Sequence, residues 1–371
     1  MADEEKIWKC PSCGGYLQWS PSDQKLKCPW CGSVYDPSYF ENQEKQADQD
    51  VRDQDYQKGE TTEEAGASEK STDDTDYRPE DLRVYRCQNC GAEIITDKTT
   101  AATTCAYCGS PVVLMEQFDT EFRPRWVVPF RIDRNQVADL YKKYVKSRPL
   151  TPGAFMRDAV ISKIKGVYIP FWLYDLETEG RAEARGERCH TFTDDRYIHT
   201  IHQVFAIRRE GKLDIRELPV DSSSKTPDDA MDSIEPFNMN DRVPFRLSYL
   251  TGFYAERYDV GAEECSRRAV RRAEQSMHEE IMKSIAGYTS VQILNEQERC
   301  LPEKMSADYA LLPVYLLSVQ YSGKNYLFAI NGQTGRIVGD VPVSPARAAG
   351  KTAVIFAILY VIGILIAMLL F

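Results

Sequence analysis

Hydrophobic positions are concentrated most strongly at the C-terminal end of the chain. Residues 352–371 carry no charge, and most of them are Leu, Ile, Val or Phe. A helix of this length measures about 30 Å at 1.5 Å per residue, which matches the hydrocarbon core of a bilayer. A buried core helix is the alternative, but the segment is apolar on every side. The pattern therefore predicts one C-terminal transmembrane helix at 352–371.

Between residues 116 and 345 the hydrophobic pattern switches several times between helical spacing and strict alternation. Helical spacing predicts helices, and alternation predicts strands. Because the two kinds of element do not alternate regularly, we expect an α+β body with an antiparallel sheet rather than a doubly wound parallel fold. Glu210-Gly211 is expected to turn the chain between two of the strands. The predicted helices cover residues 135–147, 151–165, 224–233 and 260–285, and the predicted strands cover 166–188, 197–209, 213–218, 310–320, 326–330 and 336–341.

Two cysteine-rich stretches precede this body, and both contain two C-x-x-C pairs separated by fourteen residues. Every pair is followed directly by glycine, which supplies the φ > 0 turn in which backbone N–H groups face the sulfurs. Two such pairs form a tetrahedral four-thiolate zinc site. The sequence therefore predicts zinc ribbon 1 at residues 1–40, zinc ribbon 2 at 81–115, and two structural Zn²⁺ ions. The ligands are Cys10, Cys13, Cys28 and Cys31 in ribbon 1, and Cys87, Cys90, Cys105 and Cys108 in ribbon 2.

Disulfides or a redox motif are the alternative uses of these cysteines. The N-terminus is acidic and has no apolar signal-peptide core, so we expect a reducing compartment, in which C-x-x-C pairs bind metal more often than they cross-link. A thioredoxin-like motif needs one such pair in a βαβ unit. Zinc binding is favoured on both counts.

Residues 41–80 contain fourteen Asp or Glu and five Lys or Arg, and this segment carries most of the net charge of −10. With few large apolar residues, it cannot bury enough surface to offset the entropy of ordering. It is predicted to be a disordered acidic linker. Ribbon 1 is then mobile relative to the rest of the chain, whereas ribbon 2 runs directly into the body and is expected to dock on it.

Basic residues favour an orientation for the predicted membrane helix. Arg347 and Lys351 precede it, which by the positive-inside tendency keeps the N-terminal bulk in the cytoplasm. The expected location is the cell membrane, as a single-pass protein. A second basic group between 123 and 165 is, in the default interpretation, a normally solvated helix face; the hypothesis is that it faces anionic lipid headgroups. Its members are Arg123, Arg125, Arg131, Arg134, Lys142, Lys143, Lys146 and Arg148.

The chain offers little that predicts catalysis. His199 and His202 lie three apart on a predicted strand and therefore point to opposite faces. Gly350-Lys351-Thr352 lacks the earlier glycine of a phosphate-binding loop, because Pro345 stands there. We identify no catalytic residue and do not expect an enzyme. A hydrolase or nuclease with an unrecognised site in the body is one functional hypothesis, ranked below the two that are given at the end of this section.

Three body segments carry a family resemblance: Gly-Val-Tyr-Ile-Pro-Phe-Trp-Leu-Tyr-Asp at 166–175, residues 249–259 and residues 312–336. Together with the twin ribbons and the acidic linker, they resemble the TFIIB-type double zinc-ribbon membrane proteins of Gram-positive bacteria. That family has no established activity. Some of its members are encoded beside PspA-like and band-7/flotillin-like proteins, so the resemblance implies a membrane-associated assembly of the envelope-stress type.

The expected function is that of a membrane-tethered zinc-ribbon adaptor at the cytoplasmic face, whose ribbons bind an unidentified protein partner. The alternative is a membrane-linked nucleic-acid binder. A net charge of −10 argues against indiscriminate binding of nucleic acid, which rests on excess Lys and Arg. The alternative would use residues of ribbon 1, namely Trp19, Trp30, Lys9, Lys25 and Lys27.

Overall fold

The structure is a computed structural model, which describes residues 5–6, 8–40, 82–86, 93–97, 100–104, 111–114, 123–301 and 304–370. The predicted acidic linker at 41–80 lies outside the described residues.

Short strands make up the described N-terminal part of the chain. The second, third and fourth of these strands form a three-stranded antiparallel sheet around the first cysteine group, as the alternating pattern there predicts. The fifth and sixth form a separate hairpin, and the others join the main sheet. These strands are β1 (Glu5–Lys6), β2 (Gln18–Ser20), β3 (Lys25–Lys27), β4 (Val34–Tyr35), β5 (Leu82–Arg86), β6 (Glu93–Asp97), β7 (Thr100–Thr104) and β8 (Pro111–Leu114).

The body combines long strands with a few helices. Its strands are β9 (Trp126–Val127), β10 (Lys165–Thr193), β11 (Ile198–Asp221), β12 (Val243–Pro244), β13 (Tyr254–Glu256), β14 (Ser290–Cys300), β15 (Ser306–Tyr321), β16 (Lys324–Asn331) and β17 (Ile337–Gly339). Its helices are α1 (Arg134–Lys146), α2 (Asp158–Ile161), α3 (Asp228–Ser233), α4 (Ala262–Ser284) and α5 (Pro345–Leu370).

The main sheet is mixed, and most of its pairs are antiparallel. Its strand order is β1-β8-β7-β13-β10-β15-β16-β17, with β9, β11, β12 and β14 attached beside this path. The pairs β10–β13 and β9–β15 are parallel. The predicted α+β class is therefore confirmed, and the sheet is mixed rather than purely antiparallel.

Strand β10 belongs to two different parts of the sheet. Its residues 165–175 pair with β15, and residues 178–187 pair with β14. The first half lies in an aromatic core, where the ring of Phe130 stacks on Phe253 at 4.1 Å and meets the edges of Tyr168 and Tyr315. These fully or nearly fully buried rings form the centre of the body.

The second half of β10 forms an arm together with β11, β14 and α4. Helix α4 packs on one face of this three-stranded sheet through its buried side chains Met277 and Ile281. Close approach depends on small residues below the helix, because a Cβ added at Gly180 would lie 2.5 Å from Ile281 Cδ1. The small residues on this face of β10 are Gly180, Ala182, Ala184 and Gly186.

Helix α1 agrees closely with the prediction for 135–147. Asp133 caps its N-terminus by accepting hydrogen bonds from the backbone N–H groups of Asn135 and Gln136, and the Gln136 side chain accepts from the Asp133 N–H. Such a capping box satisfies donors that the first turn leaves free. The buried face carries Val137, Tyr141 and Val145 at helical spacing.

The prediction of one continuous helix over 151–165 is wrong. A 3₁₀ turn over Gly153–Met156 and the short α2 are separated by Arg157, whose backbone is extended. Tertiary contacts explain the break, because Phe155 is fully buried and its carbonyl oxygen accepts a hydrogen bond from Tyr141 Oη at 3.1 Å.

The turn predicted at 210–211 is also wrong. Gly211 lies directly opposite Gly180 in the ladder between β10 and β11, so β11 continues without interruption from 198 to 221. Strand β14 was not predicted, because its sequence is polar and its side chains are mostly exposed.

Ribbon 1 is docked on the body, so the expectation that it moves independently is wrong. Gln24 Nε2 donates a hydrogen bond to the Phe130 carbonyl oxygen at 2.8 Å. The ring of Trp19 packs against Tyr249 with centroids 4.7 Å apart. Strand β1, just before the ribbon, pairs with β8 in the main sheet. Contacts just before the cysteine hairpin and within it fix the position of ribbon 1.

Candidate metal centre

Two equivalent turns bring together the four cysteines of ribbon 1. In each turn a glycine with positive φ, Gly14 at 74° or Gly32 at 75°, donates its N–H to the carbonyl oxygen of the first cysteine of the pair. The distances are 2.8 Å for Cys10 and 3.0 Å for Cys28. A side chain at either glycine would strain this conformation. The repeated C-x-x-C-G pattern therefore encodes the geometry of both halves of the site.

The four sulfur atoms form a compact group. Cys10 Sγ lies 3.5 Å from Cys31 Sγ, Cys13 Sγ lies 3.5 Å from Cys28 Sγ, and all four atoms are within 4.8 Å of one another. Tetrahedral zinc with Zn–S bonds of about 2.3 Å places its sulfurs roughly 3.8 Å apart. The predicted ligands of ribbon 1 therefore fit a four-thiolate metal ion.

Electrostatics around the sulfurs also suit a cation. Hydrogen bonding with Ser33, first through its side chain and then through its backbone N–H, lowers the pKa of the Cys31 thiol to about 6. The Gly15 N–H lowers the pKa of Cys13. The neighbouring thiols of Cys28 and Cys31 act in the opposite direction, and the net effect raises the pKa of Cys13 to about 12. Four thiols at this spacing cannot all ionise without a counter-charge, which a bound divalent metal supplies.

The metal would act structurally here. Cys10 and Cys28 are buried and Cys13 and Cys31 are exposed, so the site lies at the outer end of the docked ribbon. A four-thiolate zinc ion holds two turns together and contributes folding free energy, on the order of 10 kcal/mol in small zinc-dependent peptides. With four protein ligands it has no open position for substrate.

Tyr35 is a neighbour of this site that sequence reasoning did not identify. Its hydroxyl lies 2.6 Å from Ser12 Oγ and 3.7 Å from Cys10 Sγ. The alternation of β4 predicts only that Tyr35 occupies a hairpin strand. Its contact with the cysteines follows from the pairing of β4 with β3, which no local pattern specifies.

The four cysteines predicted for ribbon 2, Cys87, Cys90, Cys105 and Cys108, lie outside the described residues. A second four-cysteine site therefore stays a prediction.

Two further groups of potential metal ligands occur in the arm. In the hairpin of β10 and β11, Cys189 Sγ lies 3.4 Å from His202 Nδ1, which also contacts Glu187. His199 pairs instead with Asp194 at 2.8 Å, so the two histidines do not meet, as predicted. The second group consists of His278, Glu296 and Glu298, between α4 and β14. Sequence reasoning missed it, because β14 was not predicted as a strand and no local pattern shows which of its faces meets α4.

Helix α5 is apolar, and it is exposed beyond its first turns. It covers 26 residues, and its described apolar side chains from Val354 to Ile366 are exposed. By length and composition, Pro345–Ile364 can span a membrane, and this is the one candidate span in the described part of the chain. The structure thus supports the prediction of an apolar C-terminal helix that is long enough to span a membrane.

The fold and the site define a mixed α+β protein with a docked four-cysteine hairpin and an apolar C-terminal helix. The chain belongs to the same family as the uncharacterized protein YdjG of Bacillus subtilis (strain 168). The two are 32% identical over 314 residues, covering 71% of this chain and 92% of the relative. No family model and no solved structure matches the chain.

Proposed function

We propose that the protein is a non-enzymatic, membrane-tethered zinc-ribbon adaptor. The observation that carries this proposal is the combination of a docked four-cysteine hairpin with an exposed apolar helix in one chain. The helix tethers the body at the cytoplasmic face of the cell membrane, and the ribbons bind a protein partner in a membrane-associated assembly. We further propose that both ribbons hold Zn²⁺, as in the TFIIB-type double zinc-ribbon proteins.

Contacts at the base of α5 support a fixed relation between body and membrane. The Ser344 N–H donates to the Leu150 carbonyl oxygen at 2.8 Å, and Arg347 donates to the Thr151 carbonyl oxygen at 2.6 Å. Both acceptors lie just after α1, so the C-terminal end of α1 is placed beside the start of the membrane helix.

The basic group predicted to face lipid divides into two parts. Arg125 and Arg131 form ion pairs with Asp308 and Asp241, at 2.8 and 2.9 Å. The second part comprises Lys142, Lys143, Lys146 and Arg148, which lie at the C-terminal end of α1 and just after it. Each cation close to an anionic bilayer contributes about 1 kcal/mol. We propose that this second part contacts anionic headgroups.

The tether is tested by fractionation of cells that express the full-length chain. Replacing Ile358 and Ile362 with Arg costs about 2.5–3.5 kcal/mol per substitution at the centre of a membrane helix, so the variant should move to the soluble fraction. Replacing both with Leu is the control and should leave the chain in the membrane. Protease added outside spheroplasts should leave the body intact. A wild-type chain in the soluble fraction would refute the tether.

The lipid contact is tested with vesicles of neutral lipid and of neutral plus anionic lipid. A chain ending at residue 344, checked for folding by circular dichroism, should bind only the anionic vesicles, and less at high salt. Lys143→Glu/Lys146→Glu should abolish this binding. Equal binding to both kinds of vesicle would remove lipid from the proposal.

The outer end of ribbon 1 is the surface that we propose for the protein partner. Trp30 is 72% exposed and makes an edge contact with Tyr16, beside the exposed Cys13 and Cys31. Aromatic residues are frequent anchors of protein interfaces. Cross-linking and pull-down from membranes should recover a specific protein with the wild-type chain and much less of it with Trp30→Ala. Recovery of the same proteins by both chains would contradict this surface.

Nucleic-acid binding is the second candidate, and exposed Trp30 is also the observation that favours it. Trp19, in contrast, is only 5% exposed and cannot stack on a base, and Lys27 is paired with Asp23 at 2.9 Å. Gel-shift titration at several salt concentrations separates the two candidates. A nucleic-acid binder loses affinity steeply as salt rises, and Lys9→Ala/Lys25→Ala would weaken it further.

A further inference from the structure

Three metal-ligating side chains meet where α4 packs on β14. His278 lies in the C-terminal half of α4, and Glu296 and Glu298 lie on β14. His278 Nδ1 is 2.5 Å from Glu296 Oε1 and 3.4 Å from Glu298 Oε1. One donor atom from each of the three residues falls within 4.8 Å of the others. We call this group the α4–β14 site.

The fold holds both carboxylates on the side that faces the helix. Glu296 is opposite Ala182 and Glu298 is opposite Gly180 in the ladder with β10. Residues two apart on a strand share a face, and this is the face on which α4 lies. The small residues of β10 leave room for the helix to approach, which brings His278 down to the two carboxylates.

The carboxylates are short of partners. One oxygen of each glutamate, Glu296 Oε1 and Glu298 Oε1, is sealed from solvent, and the imidazole of His278 is within ion-pair distance of both. Within the described residues, His278 is the one basic side chain at that distance from either carboxylate. Buried carboxylate oxygens are costly unless they are paired, and a single imidazole cannot neutralise two of them, so the group calls for a further cation.

Charge at the site points to a cation. Glu296 and Glu298 lie two positions apart on one face of β14, so their carboxylates are close together beside a single imidazole. Two ionised carboxylates and one imidazole carry net negative charge whether the imidazole is protonated or not.

We propose that the α4–β14 site binds one divalent transition-metal ion of the Zn²⁺ or Mn²⁺ class, with His278 Nδ1 and one oxygen each of Glu296 and Glu298 as ligands. Imidazole suits zinc and carboxylates suit manganese, so this donor set serves both. It lacks the thiolates that make ribbon 1 selective for softer ions.

The existing geometry needs only side-chain adjustment to admit the ion. With metal–ligand bonds of about 2.0–2.2 Å, tetrahedral ligands lie roughly 3.3–3.5 Å apart. The 3.4 Å separation of His278 and Glu298 already fits. The 2.5 Å contact of His278 with Glu296 must open by about 1 Å. Metal binding requires an unprotonated His278 Nδ1, and it ties α4 to the outer strand of the arm.

The group in the β10–β11 hairpin supplies a matched control. Glu187, Cys189 and His202 also offer three ligand atoms, but here His202 is hydrogen-bonded to Glu187, and Ser290 Oγ donates to Glu187 at 3.3 Å. Its carboxylate therefore has partners of its own. The metal is therefore assigned to the α4–β14 site and not to the hairpin.

The experiment uses the full-length chain in detergent, loaded with zinc and dialysed so that the cysteine sites remain filled. MnCl₂ is titrated in, and free Mn²⁺ is followed by electron paramagnetic resonance. In a parallel experiment, added zinc is counted per chain after dialysis. The variants are Glu296→Gln, Glu298→Gln, His278→Gln and the double variant Glu296→Gln/Glu298→Gln, and the control is Glu187→Gln/His202→Gln. Circular dichroism checks that each variant is folded.

We expect the wild-type chain to bind one more Mn²⁺ or Zn²⁺ ion than Glu296→Gln/Glu298→Gln. Loss of one ligand should weaken binding by at least about 10–100-fold, the effect of losing a group that merely supports a ligand. The hairpin control should bind like the wild type. The proposal is overturned if neither ion shows an increment that depends on these three side chains, or if the hairpin control loses the ion to the same extent.

Discussion

The backbone N–H of Trp19 donates a hydrogen bond to the carbonyl oxygen of Thr251, with 2.9 Å between the two atoms. The first residue belongs to β2 of ribbon 1 and the second to the loop that precedes β13 in the body. Both residues are buried. This bond continues the backbone pairing of the cysteine hairpin into the body, so the metal centre is attached to the main fold at a defined angle.

Removing the Trp19 ring should loosen this attachment. Truncation of a buried Trp to Ala costs about 3–5 kcal/mol, and here the lost contact is the one with Tyr249. Since 1.4 kcal/mol is tenfold in an equilibrium constant, amide exchange at residue 19 should accelerate by at least about a hundredfold in Trp19→Ala. Hydrogen-exchange mass spectrometry measures this, with Trp30→Ala as the control at an exposed ring. An unchanged rate would show that docking does not depend on this ring.

Loss of one thiolate should release the metal of ribbon 1. Cys10→Ser replaces a buried sulfur in the four-cysteine group by a hydroxyl that stays protonated at neutral pH, so zinc per chain should fall by one. Cys265→Ala is the control. Burial raises the pKa of the Cys265 thiol to about 11, so it is not an available thiolate. Elemental analysis of reduced protein measures the zinc content per chain of both variants. Equal zinc content in Cys10→Ser and wild type would exclude ribbon 1 as a metal site.

Local patterns predicted the parts of this protein that depend on neighbours in sequence. The C-x-x-C-G repeats predicted the turns at Cys10 and Cys28, the helical apolar spacing predicted α1, and the uncharged terminus predicted α5. In each case the residues that decide the structure lie within a few positions of one another.

Features that depend on distant pairing could not be predicted in the same way. The polar β14 is a strand because β10 supplies its backbone partners. Ribbon 1 is fixed by Thr251 and Phe130, which lie more than a hundred residues away. The α4–β14 site exists only because the ladder register sets Glu296 and Glu298 under His278. None of the three residues lies in a sequence motif that identifies it as a metal ligand.

Asp221 should make stability depend on pH. It is almost completely buried beside Arg268, which it shares with Asp228 and Asp232, and burial raises its pKa to about 6. The folded state then takes up a proton that the unfolded state, in which the aspartate titrates at its ordinary pKa of 3.8, does not. Stability contributed by this proton is complete below pH 3.8 and is lost as pH rises from there through 6. From pH 7.5 to 5.5 the free energy of unfolding should rise by about 1 kcal/mol more in the wild type than in Asp221→Asn.

Urea denaturation at several pH values measures this difference. The amide of Asn keeps the shape of the side chain but does not titrate in this range, so the comparison isolates one group. Parallel curves for the wild type and Asp221→Asn over this interval would contradict the raised pKa.

The glycine pair at the centre of the arm gives a matched test of how α4 packs. Gly180 and Gly211 face each other across the ladder, but a Cβ at Gly180 would lie 2.6 Å from Met277 Cγ, whereas a Cβ at Gly211 would lie 3.5 Å from Met277 Cε. Gly180→Ala should therefore destabilise the protein by about 1–3 kcal/mol through overpacking. Gly211→Ala should be neutral or stabilising by up to about 1 kcal/mol, since it lowers the entropy of the unfolded chain. Urea denaturation compares the two, and equal effects would mean that α4 does not press on β10 at Gly180.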